Sequence, residues 1–250
     1  PSTEDVERAL DGDVGLVVLS LVHYRSAAIA DLSAITDAAH AVGALVLWDL
    51  SHAAGAIPVE LESSGVDLAV GCTYKYLNAG PGAPAFLYVR TELQERLRPP
   101  IQGWIAARDV FAMAPEWERA PGILGFAAGT PPVLGLVAVD EGVSLVEEAG
   151  LEAIRSKGIA LTDYAVALHD AWLAPLGTAL GSPRDAERRG SHVAIRHPDA
   201  ERLMAALAER EVIVDFRRPD VLRLGLSPLT TSFGEVREAI VRLRDLLMTG

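Results

Sequence analysis

The sequence predicts an α/β protein: a mostly parallel sheet followed by a smaller α+β unit. Three observations carry that prediction. Continuous apolar runs of strand length, "VGLVVLS" (14–20), "ALVLWDL" (44–50), "VDLAVGCT" (66–73) and "APAFLYV" (83–89), alternate with helical spacing, as in a parallel sheet covered on both faces. Long amphipathic stretches take over from about residue 132. Between the two textures lies the turn cluster "GTPP" (129–132), which sets the expected division at 1–131 and 132–250.

Each element follows from local chemistry. "STEDVERAL" opens with Ser2 and acidic residues in the first turn, so a short helix is expected there. The first strand, 14–20, is apolar on both sides and so needs a partner strand and cover. Asp31 is a natural N-cap for a helix over 31–43, and Gly43 is its stop. The second, third and fourth strands follow at 44–50, 66–73 and 83–89. Two long helices are expected over 132–150 and 151–176. Then come a strand at "SHVAIRH", a helix at "DAERLMAALAERE", strands at "VIVDF" and "VLRLGLS", and a last helix from about Phe233 to Met248.

The 250 residues are 50% hydrophobic and 22% charged, enough apolar material for a sizeable core. A net charge of −12 repels phosphate backbones and argues against a nucleic-acid partner. One cysteine, Cys72, leaves no internal disulfide and no multi-cysteine metal site, so no metal is expected and a reducing cytoplasm fits. No apolar run reaches the length of a membrane span, and no basic stretch followed by an apolar core opens the chain. The first residue is Pro1 and a buried-type strand comes soon after, which predicts that the sequence begins inside a longer protein.

Functional groups of open α/β sheets collect where strands end. Here strand ends deliver Ser20, Asp49 with His52, and Tyr74 with Lys75 to one edge, beside Gly80 and Gly82. Lys75 is one of two lysines in the chain, the other being Lys157. Each residue alone has a plain reading: Lys75 a solvated cation, Asp49 a helix cap, His52 a structural imidazole, one of Tyr74 and Tyr76 a core residue. Together, a lysine and an acid converging on a parallel-sheet edge point to pyridoxal phosphate. That cofactor needs a Schiff-base lysine and a carboxylate on its pyridine nitrogen. Burial of such a lysine favours its neutral, nucleophilic form.

The string "WDLSHAAGAIPVELESSGVDLAVGCTYKYLNAGPGAPAFLYV" closely resembles kynureninase, a fold-type I pyridoxal-phosphate enzyme. The resemblance continues through "GW" (103–104), "FAAGTPPVLGL" (126–136), "RRGSHVAI" (188–195) and "LRLGLSPL" (222–229), and so covers nearly the whole chain. It implies the C-terminal part of a pyridoxal-phosphate-binding large domain of the aspartate-aminotransferase fold, followed by a small α+β domain.

The resemblance also implies roles. Lys75 bonds to the cofactor, Asp49 pairs with its ring nitrogen, and His52 lies beside it. Tyr74 contacts the phosphate and donates a proton, and Ser20 falls at another cofactor position. Trp104 and Thr130 match positions that reach the phosphate across a homodimer interface with a shared site. Arg223 matches the arginine that grips the substrate α-carboxylate. The implied reaction, part of tryptophan breakdown and NAD biosynthesis, hydrolyses L-kynurenine or its 3-hydroxy form to an anthranilate and L-alanine.

Departures from the family pattern fall on Ile105, Ala106 and Ala107, on Thr230 where a tyrosine is common, and on His23. They bear on aryl-ring recognition more than on cofactor chemistry. The family's N-terminal segment, with a phosphate-binding turn and an aromatic that stacks on the cofactor ring, has no counterpart in these residues. Weak cofactor binding and exposed apolar surface are therefore expected of this chain alone. Two other readings stand beside the first. One is another fold-type I enzyme, an aminotransferase or a cysteine desulfurase, for which Cys72 reads as core rather than nucleophile. The other is a non-catalytic fragment that needs its N-terminal part.

Overall fold

The computed structural model describes residues 2–249. Its first sheet consists of β1 (Leu16–Ser20), β2 (Leu45–Asp49), β3 (Leu68–Gly71) and β4 (Phe86–Val89), side by side in that order. β1, β2 and β3 run parallel, and β4 pairs antiparallel to β3. Two helices precede β2. In α1 (Thr3–Ala9), Ser2 and Asp5 form the reciprocal cap that the opening residues suggested. In α2 (Leu32–Ala41), the Asp31 carboxylate accepts the Ala34 N–H at 3.0 Å. A short helix, α3 (Thr91–Gln94), follows β4.

α2 lays Ile35 and Ala39 against Val46, Trp48 and Ala69 of the sheet, which makes the first core. Trp48 is fully buried, and its indole N–H finds a partner in Thr36 Oγ1 at 3.1 Å, so the burial leaves no unpaired donor. A parallel sheet of this kind calls for cover on both faces, and the opposite face shows the exposed apolar surface expected of these residues alone. Leu16 is 48% exposed and Val18 58% exposed, and among the described residues β1 pairs only with β2. The apolar run correctly marked a strand, but the helices within the described residues pack on the other face.

The second unit contains α4 (Val133–Ala149), α5 (Leu151–Leu168), β5 (Ala179–Leu180), β6 (His192–Arg196), α6 (Ala200–Ala208), β7 (Asp215–Arg217), β8 (Val221–Gly225) and α7 (Phe233–Thr249). Its antiparallel sheet has the order β5-β6-β8-β7. Leu161 and Ala165 of α5 and Ile240 and Leu243 of α7 pack on Val193, Ile195 and Leu222 in the second core. The predicted helix over 151–176 is shorter as an α-helix. Past Leu168 it widens into a π-turn, His169–Leu173, and then tightens into a 3₁₀ turn containing Pro175. Proline lacks the N–H that a continuing α-helix needs. The strands are also shorter than their apolar runs, most clearly β7, which begins at Asp215 rather than Val212.

Backbone contacts hold the second sheet over the end of the first. Ile29 N–H donates to the Arg188 carbonyl at 2.9 Å, and Gly190 N–H donates to the Ala27 carbonyl at 2.8 Å. The C-terminal ends of β1 and β2 therefore face the strands β6 and β8. Among the described residues no helix is long and apolar enough to cross a membrane.

Candidate active site

Ser20 and Asp49 end neighbouring parallel strands and stand directly opposite in register. Their side chains share one face of the sheet, so Ser20 Oγ donates to Asp49 Oδ2 at 2.8 Å. The Ser51 N–H donates to the other carboxylate oxygen at 2.9 Å. Partial burial works against the charge of Asp49, but these hydrogen bonds from Ser51 and Ser20 outweigh it and hold the carboxyl below its ordinary value. Asp49 is thus a fixed anion at the end of β2.

The chain turns sharply after Asp49 and brings His52 inward. His52 is buried, with Nδ1 unpaired and Nε2 3.4 Å from Arg223 Nη1. Burial, then the positive charges of Lys75 and Arg223, push its pKa down to about 4. The turn depends on Gly55, whose φ is +78°. A Cβ at Gly55 would lie 2.6 Å from the Tyr76 carbonyl oxygen, so the turn carrying Asp49 and His52 is packed directly on the turn carrying Lys75.

Lys75, His52, Tyr76, Asn78, His192, Arg223 and Thr230 line a cavity of about 310 Å³ together with Gly225 and Ser227. Two cations and two neutral imidazoles share this space. His192 is almost fully buried, and that burial, followed by the mutual disfavour of a second charge beside His52 and by the positive Arg223, pushes its pKa down to about 3. The Tyr76 hydroxyl donates to the Ser191 carbonyl at 3.0 Å and ties the Lys75 turn to the start of β6. Burial pushes the Tyr76 phenol well above its usual range. Arg223 donates from Nη1 to the Tyr24 carbonyl at 2.7 Å and pairs through Nη2 with Asp215.

The other residues singled out from sequence lie around this cavity. Tyr74 is exposed, with its ring centroid 5.5 Å from Lys75 Nζ. Ser20 lines a second, open groove of about 1120 Å³ with His23, Tyr24 and Arg188. Trp104 and Thr130 are solvent-exposed and do not line the smaller cavity. Their segments are neighbours, because Gly103 packs so closely on Ala128 that a Cβ there would overlap its carbonyl. Sequence reasoning missed His192, Tyr76 as a tether, and Asp215 as the partner of Arg223. His192 stood in plain view within "RRGSHVAI". Asp215 is visible only through the cross-strand register that sets it opposite Arg223.

Several of the groups that a pyridoxal-phosphate-type cofactor needs stand here. Asp49 is an anion kept ionised by two hydrogen bonds, Lys75 supplies an amine at a concave site, and His52 Nδ1 is a buried polar atom without a partner.

Residues 154–243 match the family model of the kynureninase C-terminal domain. The chain is 39% identical over 246 residues to a kynureninase of Pseudomonas fluorescens, and 42% identical over 245 residues to one of Burkholderia mallei. Each match covers 98% of this chain and 59% of the relative, so the chain spans less than two thirds of the length of these curated relatives. Among solved structures, an apo cysteine desulfurase from Thermococcus onnurineus superimposes with a TM-score of 0.84 at 20% identity, over 99% of this chain and 63% of that one. A cystine C–S lyase in complex with its product cysteine persulfide gives 0.85 at 18% identity, over 97% and 64%. An alanine–glyoxylate aminotransferase from a Nostoc species gives 0.75 at 20% identity, over 99% and 66%. These likenesses establish the shared fold.

Proposed function

We propose that the chain, 39–42% identical to kynureninases over 98% of its length and matching the kynureninase C-terminal domain model at residues 154–243, is the catalytic part of a pyridoxal-phosphate-dependent hydrolase. Its substrate is L-kynurenine or 3-hydroxykynurenine, and its products are the corresponding anthranilate and L-alanine. One observation carries the reading: Lys75 and Arg223 face the same small cavity, with the ionised Asp49 at the adjoining strand end.

Lys75 would hold the cofactor through its amine, Asp49 would accept the N–H of the cofactor ring, and His52, Ser20 and Tyr74 would complete the bed. When bound, the cofactor supplies an electron sink for negative charge that develops on the substrate beside the amine-bearing carbon. Arg223 binds the α-carboxylate of the substrate, a task suited to a planar fork of donors. Once the substrate amine has taken its place, Lys75 is a free amine, and its Nζ takes the Cα proton. Water adds to the γ-carbonyl and the Cβ–Cγ bond breaks. The Tyr74 hydroxyl returns a proton to the carbon that leaves as the methyl group of alanine.

We divide the chain into residues 1–131, part of the cofactor domain, and residues 132–250, the small domain. A second copy covers the apolar surface offered by Trp104, Leu134 and Val137, with Leu134 89% exposed. Trp104 and Thr130 act across that interface, and the enzyme works in the cytoplasm. The test is borohydride reduction of the cofactor-loaded protein followed by peptide mapping, with anthranilate release followed by fluorescence. Label on Lys75 and release of anthranilate are expected. Label on Lys157, or a loaded protein that leaves kynurenine intact, overturns the reading.

A further inference from the structure

We infer that Asp215 is a positioning residue that sets the Arg223 guanidinium for an α-carboxylate. The inference rests on the proposed role of Arg223 and names what makes that role possible. Asp215 of β7 stands directly opposite Arg223 of β8, so the two side chains leave the sheet on the same face. The Asp215 Oδ2 accepts from Arg223 Nη2 and forms an ion pair with Arg217 Nη2 at 2.8 Å. The Tyr24 carbonyl holds the other terminal nitrogen, Nη1, at 2.7 Å.

A guanidinium held at both terminal nitrogens has its plane fixed. That matters because a carboxylate is recognised by a planar, two-point fork, and a freely turning arginine loses affinity by having to be ordered on binding. The Arg223 side chain is only 13% exposed, so water offers little competition for these contacts. Arg223 lines the small cavity and Asp215 does not, which places the aspartate behind the fork rather than in contact with ligand. The Tyr24 carbonyl and His52 Nε2 both meet Nη1, so the Nη2 end of the plane is left to Asp215.

The test uses the pyridoxal-phosphate-loaded protein with L-kynurenine and its α-carboxamide as probes. In Asp215→Ala, KM for kynurenine rises about tenfold, the order set by one charge-assisted hydrogen bond, while kcat stays within about twofold. KM for the carboxamide does not move, so the preference for the carboxylate collapses. Asp215→Glu recovers part of it. In the cofactor-free protein, the Nη proton resonances of Arg223 are separate in the wild type and merged in Asp215→Ala, a change that a merely structural role does not produce. Should Asp215→Ala fail to fold, Asp215→Asn keeps an acceptor without the charge and gives an intermediate KM. A wild type that prefers the carboxylate, with a variant that prefers it equally, overturns the inference and leaves the role of Arg223 standing. A loaded wild type with no preference overturns both.

Discussion

Gly55 offers a quantitative test of how the two site-bearing turns are joined. In Gly55→Ala the new methyl meets two obstacles. The first is conformational: at φ +78° an L-residue costs about 1–2 kcal/mol relative to glycine. The second is steric: the added Cβ lies 2.6 Å from the Tyr76 carbonyl oxygen and 2.8 Å from its carbon. Relief requires the turns to separate by roughly half an ångström or more, at a further cost of about 1–3 kcal/mol for overpacking against backbone. Gly43 isolates the first effect, because its φ is +83° and nothing lies within 4 Å of its added Cβ. Gly234, early in α7, has a nearest neighbour at 3.7 Å and no positive φ, so alanine there is neutral or mildly stabilising. Urea unfolding of the three variants should therefore rank Gly234→Ala above Gly43→Ala above Gly55→Ala, with about 1–3 kcal/mol between the last two. Cofactor affinity should fall only in Gly55→Ala, where Asp49 and Lys75 are pushed apart. Equal losses in Gly43→Ala and Gly55→Ala would show that the turns are not in contact as described.

Three further outcomes follow from the site. Asp49→Asn should retain the cofactor poorly and lose activity by an amount equivalent to about 3 kcal/mol, since an amide cannot stabilise a protonated ring nitrogen; near-normal turnover would refute the role. Arg223→Lys keeps the charge but loses the fork, so KM should rise while the bound-cofactor spectrum is unchanged; loss of the spectrum would place Arg223 at the cofactor instead. Stability should fall on acidification, because His52 and His192 are held neutral, at about 4 and about 3, below the unfolded value of about 6.5. Between pH 6.5 and 4 the unfolded chain binds the protons that the folded one refuses, so each histidine removes up to about 1.4 kcal/mol per pH unit. His192→Gln should flatten that slope in a pH series of unfolding midpoints, and an unchanged slope would mean that His192 titrates normally.

The strands of the first sheet were legible because continuous apolar runs have few other uses, and Asp49, Lys75 and Ser20 were legible because strand ends are where parallel sheets expose polar groups. Exposed apolar surface around β1 was expected too, but not which side chains carry it: only packing distinguishes the face that α2 covers from the one, with Leu16 and Val18, that it leaves open. The break after Leu168 was hidden because the helical spacing runs on into the π-turn. The joining of Arg223 to Tyr24 could not be read locally, since the two lie 199 positions apart, and its pairing with Asp215 needed the β7–β8 register. Tyr76 showed the same limit: a tyrosine beside a lysine says nothing about a carbonyl on β6's approach.

The Arg223–Tyr24 hydrogen bond spans 199 positions of sequence, the Arg223–His52 contact 171, and the Tyr76–Ser191 bond 115. Contacts this distant close very large loops, whose closure entropy the docking of the two halves has to offset. The cavity comes into being only when the two halves dock, and local opening undoes it before either core is disturbed. Ligand affinity is then scaled by the docked fraction: a protein docked half of the time binds with twice its intrinsic dissociation constant. Any molecule that touches both Lys75 and Arg223 draws the halves together, and slowed hydrogen exchange at the Ile29 and Gly190 amides, which bond across the halves, would register that closure without any turnover.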